Sequence, residues 1–266
     1  MSEGAKHRPR KRFGQNFLQD DNIIERIVQS LNIKDSDNLI EIGPGQGALT
    51  DKLFDQCKHL DVIEIDRDLA AEFAWRYDDK ENFSLHIADV LKFDFTSLPT
   101  RDSRFKVIGN LPYNISTPLL FRLFNCKALF SEMLFMLQLE VVDRICASPG
   151  NKNYGRLTIM SQYHCKVDKL FRVPSTAFHP QPKVESAIIR LVPIEKPDHK
   201  ADDPDLLETV VRTAFSQRRK TLQNSLKTLV EKSLLNDIGI DGSRRPETLS
   251  LGEYVSISNA LARVES

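Results

Sequence analysis

Between Leu39 and Thr50 the chain reads Leu39-Ile40-Glu41-Ile42-Gly43-Pro44-Gly45-Gln46-Gly47-Ala48-Leu49-Thr50, and this segment limits the possible folds most strictly. A short apolar run with strand character passes into glycines and then into helical sequence. Glycine permits backbone angles and close approaches that a Cβ forbids, so such a turn can lay its backbone against a ligand. A second strand-like run, Leu60–Ile65, carries Glu64 near its end, where a carboxylate can accept from both hydroxyls of a ribose. Strand, glycine turn, helix, strand and acid together describe an open parallel sheet with a nucleoside-bearing ligand at its carboxyl edge.

The remaining runs extend that sheet. Leu85–Ile87, Lys106–Gly109 and Met133–Leu137 are strand-like and separated by stretches long enough for helices, and such alternation favours a parallel sheet covered on both faces. Val184–Val192 alternates and is rich in β-branched residues, which predicts a late, antiparallel strand. A lead-in helix is expected after an N-cap at Asp20 or Asp21, because Ile23, Ile24, Ile27, Val28 and Leu31 follow helical spacing. Pro193, Pro197 and Pro204 bracket the charged stretch Glu195–Asp205, which reads as a linker. Beyond it Leu206–Phe215, Thr221–Val230 and Tyr254–Val264 are helical in period without strand signals. The expected organisation is an α/β, Rossmann-like domain over residues 1–198, opened by a basic arm at 1–12, and a small all-helical domain over 199–266. No internal repeat is visible.

The cofactor follows from the glycine spacing. A dinucleotide turn has the form G-x-G-x-x-G and delivers a pyrophosphate to a helix N-terminus. Here the third glycine arrives one residue early, Pro44 fills the first variable position, and Glu41 precedes the turn. The pattern resembles the loop that holds S-adenosylmethionine, a ligand without phosphate, with Gly43 and Gly45 against it. Asp89, just past the third strand, is placed to accept from the cofactor's adenine amine. The fourth strand then runs into Asn110-Leu111-Pro112-Tyr113, which sets an amide, a rigid turn and an aromatic ring at the ligand-binding edge. An adenine amine is a poor nucleophile because its lone pair is delocalised into the ring. The Asn110 side-chain oxygen and the backbone carbonyl of Leu111 or Pro112 can each accept one N–H and aim that lone pair at a methyl donor. Pro112 fixes the turn, and Tyr113 offers a face to an extruded base.

Composition decides less. Lys+Arg and Asp+Glu are equal at 37 each, so a polyanionic partner has to be argued from charge distribution. Lys6, Arg8, Arg10, Lys11 and Arg12 crowd the start, and Gln217-Arg218-Arg219-Lys220 opens a helix. A charge run of that kind is a solvated face or a phosphate contact; with the basic arm and Arg244-Arg245 we read it as RNA contact. Cys57, Cys126, Cys146 and Cys165 are widely spaced with no C-x-x-C pair, which argues for reduced thiols and against a zinc ribbon. No metal is expected. No apolar run approaches the ~18 residues of a membrane span, and no signal-peptide core opens the chain; a cytoplasmic protein without a membrane partner is expected.

Five motifs in order carry a resemblance over nearly the whole chain: Phe13-Gly14-Gln15-Asn16-Phe17-Leu18, Glu41-Ile42-Gly43-Pro44-Gly45, Asn110-Leu111-Pro112-Tyr113-Asn114-Ile115-Ser116-Thr117-Pro118, Pro174 to Val184, and Phe215-Ser216-Gln217-Arg218-Arg219-Lys220-Thr221-Leu222. The chain resembles the ribosomal RNA adenine N6,N6-dimethyltransferases that modify two adjacent adenines near the 3′ end of small-subunit RNA. The resemblance implies that Asn16 and Leu18 touch S-adenosylmethionine, that Gly43, Glu64, Asp89 and Asn110 complete its site, and that Phe178 sandwiches the target adenine with Tyr113. Without the resemblance, Phe178 in its proline-rich loop reads as a core plug. The implied partner is small-subunit RNA or the immature small subunit, met by a monomer. The rival readings are a large-subunit RNA adenine methyltransferase, a DNA adenine methyltransferase, and an assembly factor in which binding outweighs chemistry.

Overall fold

The computed structural model describes residues 15–99, 101–217 and 219–264. The basic arm, the Phe13-Gly14 end of the first motif and Arg218 therefore lie outside the described residues. Nine strands and ten α-helices are described. In chain order these are β1 Phe17–Leu18, α1 Asp21–Leu31, β2 Asn38–Ile42, α2 Thr50–Leu53, β3 His59–Glu64, α3 Arg67–Arg76, β4 Phe83–Ile87, β5 Phe105–Asn110, α4 Ser116–Asn125 and β6 Phe130–Gln138. They continue with α5 Leu139–Ile145, α6 Arg156–His164, β7 Cys165–Val173, β8 Phe178–His179, β9 Ser186–Pro193, α7 Pro204–Phe215, α8 Leu222–Leu226, α9 Lys232–Asp237 and α10 Leu251–Val264.

The main sheet has seven strands in the order β4-β3-β2-β5-β6-β9-β7. Strands β2 to β6 pair in parallel, and β9 lies antiparallel to β6 with Met136 opposite Ile188. Every residue of β2 is buried, as a central strand covered on both faces requires. From β2 the chain steps outward through β3 and β4, then returns to the other side of β2 as β5. That reversal opens a crevice past the carboxyl ends of β2 and β5. The α1 helix buries Ile24, Ile27, Val28 and Leu31, and its N-cap is Asp20, which accepts from the Ile23 amide at 3.2 Å. Such a cap contributes about 1 kcal/mol, and each buried aliphatic side chain roughly 1.5–3 kcal/mol.

Contacts divide the chain into two compact units, residues 1–142 with 168–193, and 143–167 with 194–266. A single cut at 198/199 leaves residues 143–167 with the α/β unit, whereas the contacts group them with 194–266. Residues 143–167 belong with the helical unit because α6 is buried there from Leu157 to Ser161 and the Thr158 hydroxyl donates to the Arg144 carbonyl at 2.5 Å. Within the same unit the Tyr154 and Phe215 rings lie 6.4 Å apart. The Asp203 carboxylate caps α7 by accepting from the Asp205 and Leu206 amides. The helix expected over Thr221–Val230 ends at Leu226; the amides of Leu229 and Val230 both turn back to the Leu226 carbonyl. The described cysteines are free thiols, and no helix among the described residues is long and apolar enough to cross a membrane.

Candidate functional site

The sheet register builds the site. Ile42 pairs with Ile63 on one side and Gly109 on the other, and Glu64 pairs with Ile87. The glycine turn, Glu64, Asp89 and Asn110 therefore leave neighbouring strands at the same edge. Two glycines show how tight that edge is. Gly45 has φ +60°, and a Cβ there would stand 3.0 Å from the Phe17 ring; at Gly109 a Cβ would meet the Ile42 carbonyl at 2.8 Å. Side chains are excluded where the backbones close around the crevice.

Glu64 is 5% exposed, and burial pushes its carboxyl above the usual range against opposing backbone hydrogen bonds. One of these is the Asp66 amide, which donates to Glu64 Oε1 at 2.7 Å. The Asp66 carboxylate accepts in turn from Gln15 Nε2 at 3.2 Å, tying the first motif to the end of β3. Asp89 is half-buried and accepts from the Leu91 amide at 2.9 Å.

The Asn-Leu-Pro-Tyr turn is held from several sides. Asn110 Nδ2 donates to the Asn16 carbonyl at 3.2 Å, which leaves Oδ1 as the opposite end of the amide. The Leu111 amide donates to Met136 at 3.2 Å, and the Pro112 carbonyl accepts from the Ile115 amide at 3.1 Å. The Tyr113 hydroxyl lies 3.4 Å from that of Ser186 on β9. Across the mouth, β1 and β8 form a two-residue antiparallel pair with Leu18 opposite Phe178. This pair, too short to announce itself in sequence, brings the first and fourth motifs together.

One cavity of about 300 Å³ receives these groups. Asn16, Leu18, Gly43, Gly45, Glu64 and Asp89 line it, as do Asn110, Leu111, Pro112, Tyr113 and Phe178. Phe178 is also 6% exposed and packed in the core cluster, so it is plug and cavity wall at once. Arg219 and Lys220 do not line the cavity; they are exposed on the turn between α7 and α8, in the helical unit. Of the Arg244-Arg245 pair, only Arg245 is exposed. Arg244 is engaged by the Glu253 carboxylate and donates to the Thr248 carbonyl at 2.7 Å, so its charge is largely neutralised and the expected patch is smaller there. Sequence reasoning gave Glu41 no role, yet it lines the cavity, 1% exposed, with Oε2 lacking a hydrogen-bond partner among the described residues.

These residues fit S-adenosylmethionine: acceptors stand at the strand ends, side chains are excluded at Gly45 and Gly109 where the backbone closes on the cavity, and a buried carboxyl with an unpartnered oxygen borders it. Fold and site together define an α/β methyltransferase dependent on S-adenosylmethionine. Residues 6–263 match the family model described as ribosomal RNA adenine dimethylase, and the chain belongs to that family. It is 52% identical over 262 residues to the ribosomal RNA small subunit methyltransferase A of Pseudomonas savastanoi pv. phaseolicola, covering 98% of each chain. It is 53% identical over 255 residues to that of Saccharophagus degradans, covering 96% of this chain and 95% of the relative. Among solved structures, a dimethyladenosine transferase from Plasmodium falciparum superposes with a TM-score of 0.79 at 30% identity, over 91% of this chain and 95% of that one. The 23S rRNA methyltransferase ErmE shares the fold, with a TM-score of 0.70 at 24% identity over 93% of this chain and 100% of its own.

Proposed function

We propose that this protein transfers methyl groups to the exocyclic N6 of two adjacent adenosines near the 3′ end of small-subunit ribosomal RNA, giving N6,N6-dimethyladenosine. The observation that carries this reading is the convergence of the glycine turn, Glu64, Asp89 and Asn110-Leu111-Pro112-Tyr113 on one cavity. When bound, S-adenosylmethionine supplies an electrophilic methyl on sulfur. Glu64 accepts from the ribose hydroxyls and Asp89 from the cofactor's adenine amine, while Asn16, Leu18, Gly43 and Gly45 close around the remainder.

Asn110 does the orienting. Its amide nitrogen is committed to Asn16, so Oδ1 faces the substrate amine and accepts one N6 hydrogen. The Pro112 carbonyl already accepts from Ile115, which favours the Leu111 carbonyl as the second acceptor. Two acceptors hold the nitrogen lone pair out of the ring plane and in line with the donor. Tyr113 stacks on the extruded adenine, with Phe178 on its other face. No strong base is needed, because the nitrogen becomes acidic once methylated.

Arg219, Lys220 and Arg218 take the RNA backbone. The Arg244 carbonyl accepts from the Leu222 amide at 2.7 Å, which sets Arg245 beside the head of α8 as a further phosphate contact. The protein acts as a cytoplasmic monomer on the immature small subunit. Incubating it with methyl-labelled S-adenosylmethionine and unmodified small subunits should label two adjacent adenosines of the small-subunit RNA. Label confined to large-subunit RNA or to duplex DNA would overturn the assignment.

A further inference from the structure

The proposed reaction leaves one cavity residue without a task. Glu41 lies within β2, opposite Val62 of β3 and Ile108 of β5, and is 1% exposed. Its Oε2 meets no hydrogen-bond partner at bonding distance among the described residues; the Thr50 hydroxyl at the head of α2 is a neutral donor beside it and offsets only part of the cost of burial. The charged groups acting on it are Asp51 and Glu64, both acidic.

Of the cations on the adjoining elements, Lys52 of α2 and Arg67 of α3 are exposed, and the others are paired elsewhere. Arg76 of α3 is bonded to Asp51 at 2.9 Å and to Glu72 at 2.5 Å. Lys106 of β5 is paired with Asp37 at 2.8 Å, and Asp61 of β3 holds His86 at 2.9 Å and Arg101 at 3.1 Å. A desolvated carboxyl with acidic neighbours and no counter-charge is stable only as the neutral acid. Burial accordingly pushes it up to about 8. A cavity whose wall carries such a group favours a ligand that brings positive charge.

We propose that Glu41 is a proton-linked counter-charge for the methyl donor: protonated in the free protein, it releases its proton to solvent as the donor's sulfonium and amino-acid end binds. The inference rests on the cavity being the S-adenosylmethionine site. The O–H bond of Glu41 breaks, its proton passes to the buffer, and the carboxylate left behind faces the incoming cation. Donor affinity should then rise with pH below neutrality, and a nucleoside without a cationic tail should gain nothing from Glu41.

Calorimetric titration of the protein at pH 7, in buffers of different ionisation enthalpy, counts the protons. S-adenosylmethionine should release about 0.5–0.9 proton per molecule bound, and 5′-methylthioadenosine, which lacks the charged tail, close to none. Glu41→Gln preserves shape and neutrality and should bind the donor with that release abolished. The donor's own ammonium contributes equally in both proteins, so the difference between them isolates Glu41. Equal release by the two ligands from the wild-type protein would overturn the proposal whatever the variant does. Undiminished release from Glu41→Gln would overturn it too. A donor that does not bind the wild-type protein at all would instead remove the cofactor reading, and this inference with it.

Discussion

With burial holding the Glu41 carboxyl at about 8, far above its ordinary 4.5, the folded chain binds a proton there more tightly than the unfolded chain does. The linkage has one sign: the stability from this group is fully present below about pH 4.5 and declines as pH rises toward 8. Urea unfolding across that window should lose roughly 2–5 kcal/mol from Glu41. Glu41→Gln should be flatter than the wild type over the same range; parallel profiles would mean that Glu41 is ionised in the free fold. Glu64 is also raised by burial, so the comparison has to be between variant and wild type. Glu64→Ala should weaken donor binding by about 1.5–3 kcal/mol, through loss of a charged acceptor. Calorimetry on the folded variant checks this, and unchanged affinity would take Glu64 out of the site. Asn110→Ala should bind RNA nearly as the wild type does and lose ~100-fold or more in turnover. Wild-type turnover in that variant would refute the orienting role.

The strands that build the cavity were legible as elements because β2, β3, β5 and β6 each carry a short cluster of apolar, mostly β-branched or large residues that is buried along most of its length. Gly43, Glu64 and Asn110 lie where such runs end, and Asp89 lies just past β4. Other elements gave no comparable signal. Only Cys165, Phe171 and Val173 are buried in β7, and Lys166 and Arg172 are exposed, so it reads as polar sequence. The α6 helix is buried on nearly every side from Leu157 to Ser161 and shows no polar face to set a helical period. The β1–β8 pair has two residues a side, too few for alternation. Glu41 was visible before the glycines, but its orphaned oxygen is a property of packing. The closeness of β2 and β5 is testable at Gly109. Gly109→Ala would drive a Cβ against the Ile42 carbonyl at 2.8 Å, separating the strands that flank the crevice. We expect a loss of roughly 1–3 kcal/mol in urea unfolding, with weaker donor binding; a variant as stable as the wild type would show that the strands yield freely.

For the molecule as a whole, equal numbers of acidic and basic residues mean that RNA affinity must come from local clusters. Replacing Arg218, Arg219 and Lys220 together should lower RNA affinity and reduce its log–log salt slope by roughly 0.7–0.9 per lost phosphate contact, with donor binding intact. An unchanged slope would make the run a solvated face. The central claim is that two acceptors at the end of β5 orient an adenine amine, and the same geometry permits two rounds of methylation. A monomethylated N6 still has one hydrogen to donate and can turn its methyl away from the donor. The most direct test is mass spectrometry of nucleosides during a time course on unmodified small subunits with the methyl donor in excess. N6-methyladenosine should rise and fall while N6,N6-dimethyladenosine accumulates; an endpoint at the monomethyl nucleoside, or methylation at an atom other than N6, would contradict orientation by two acceptors.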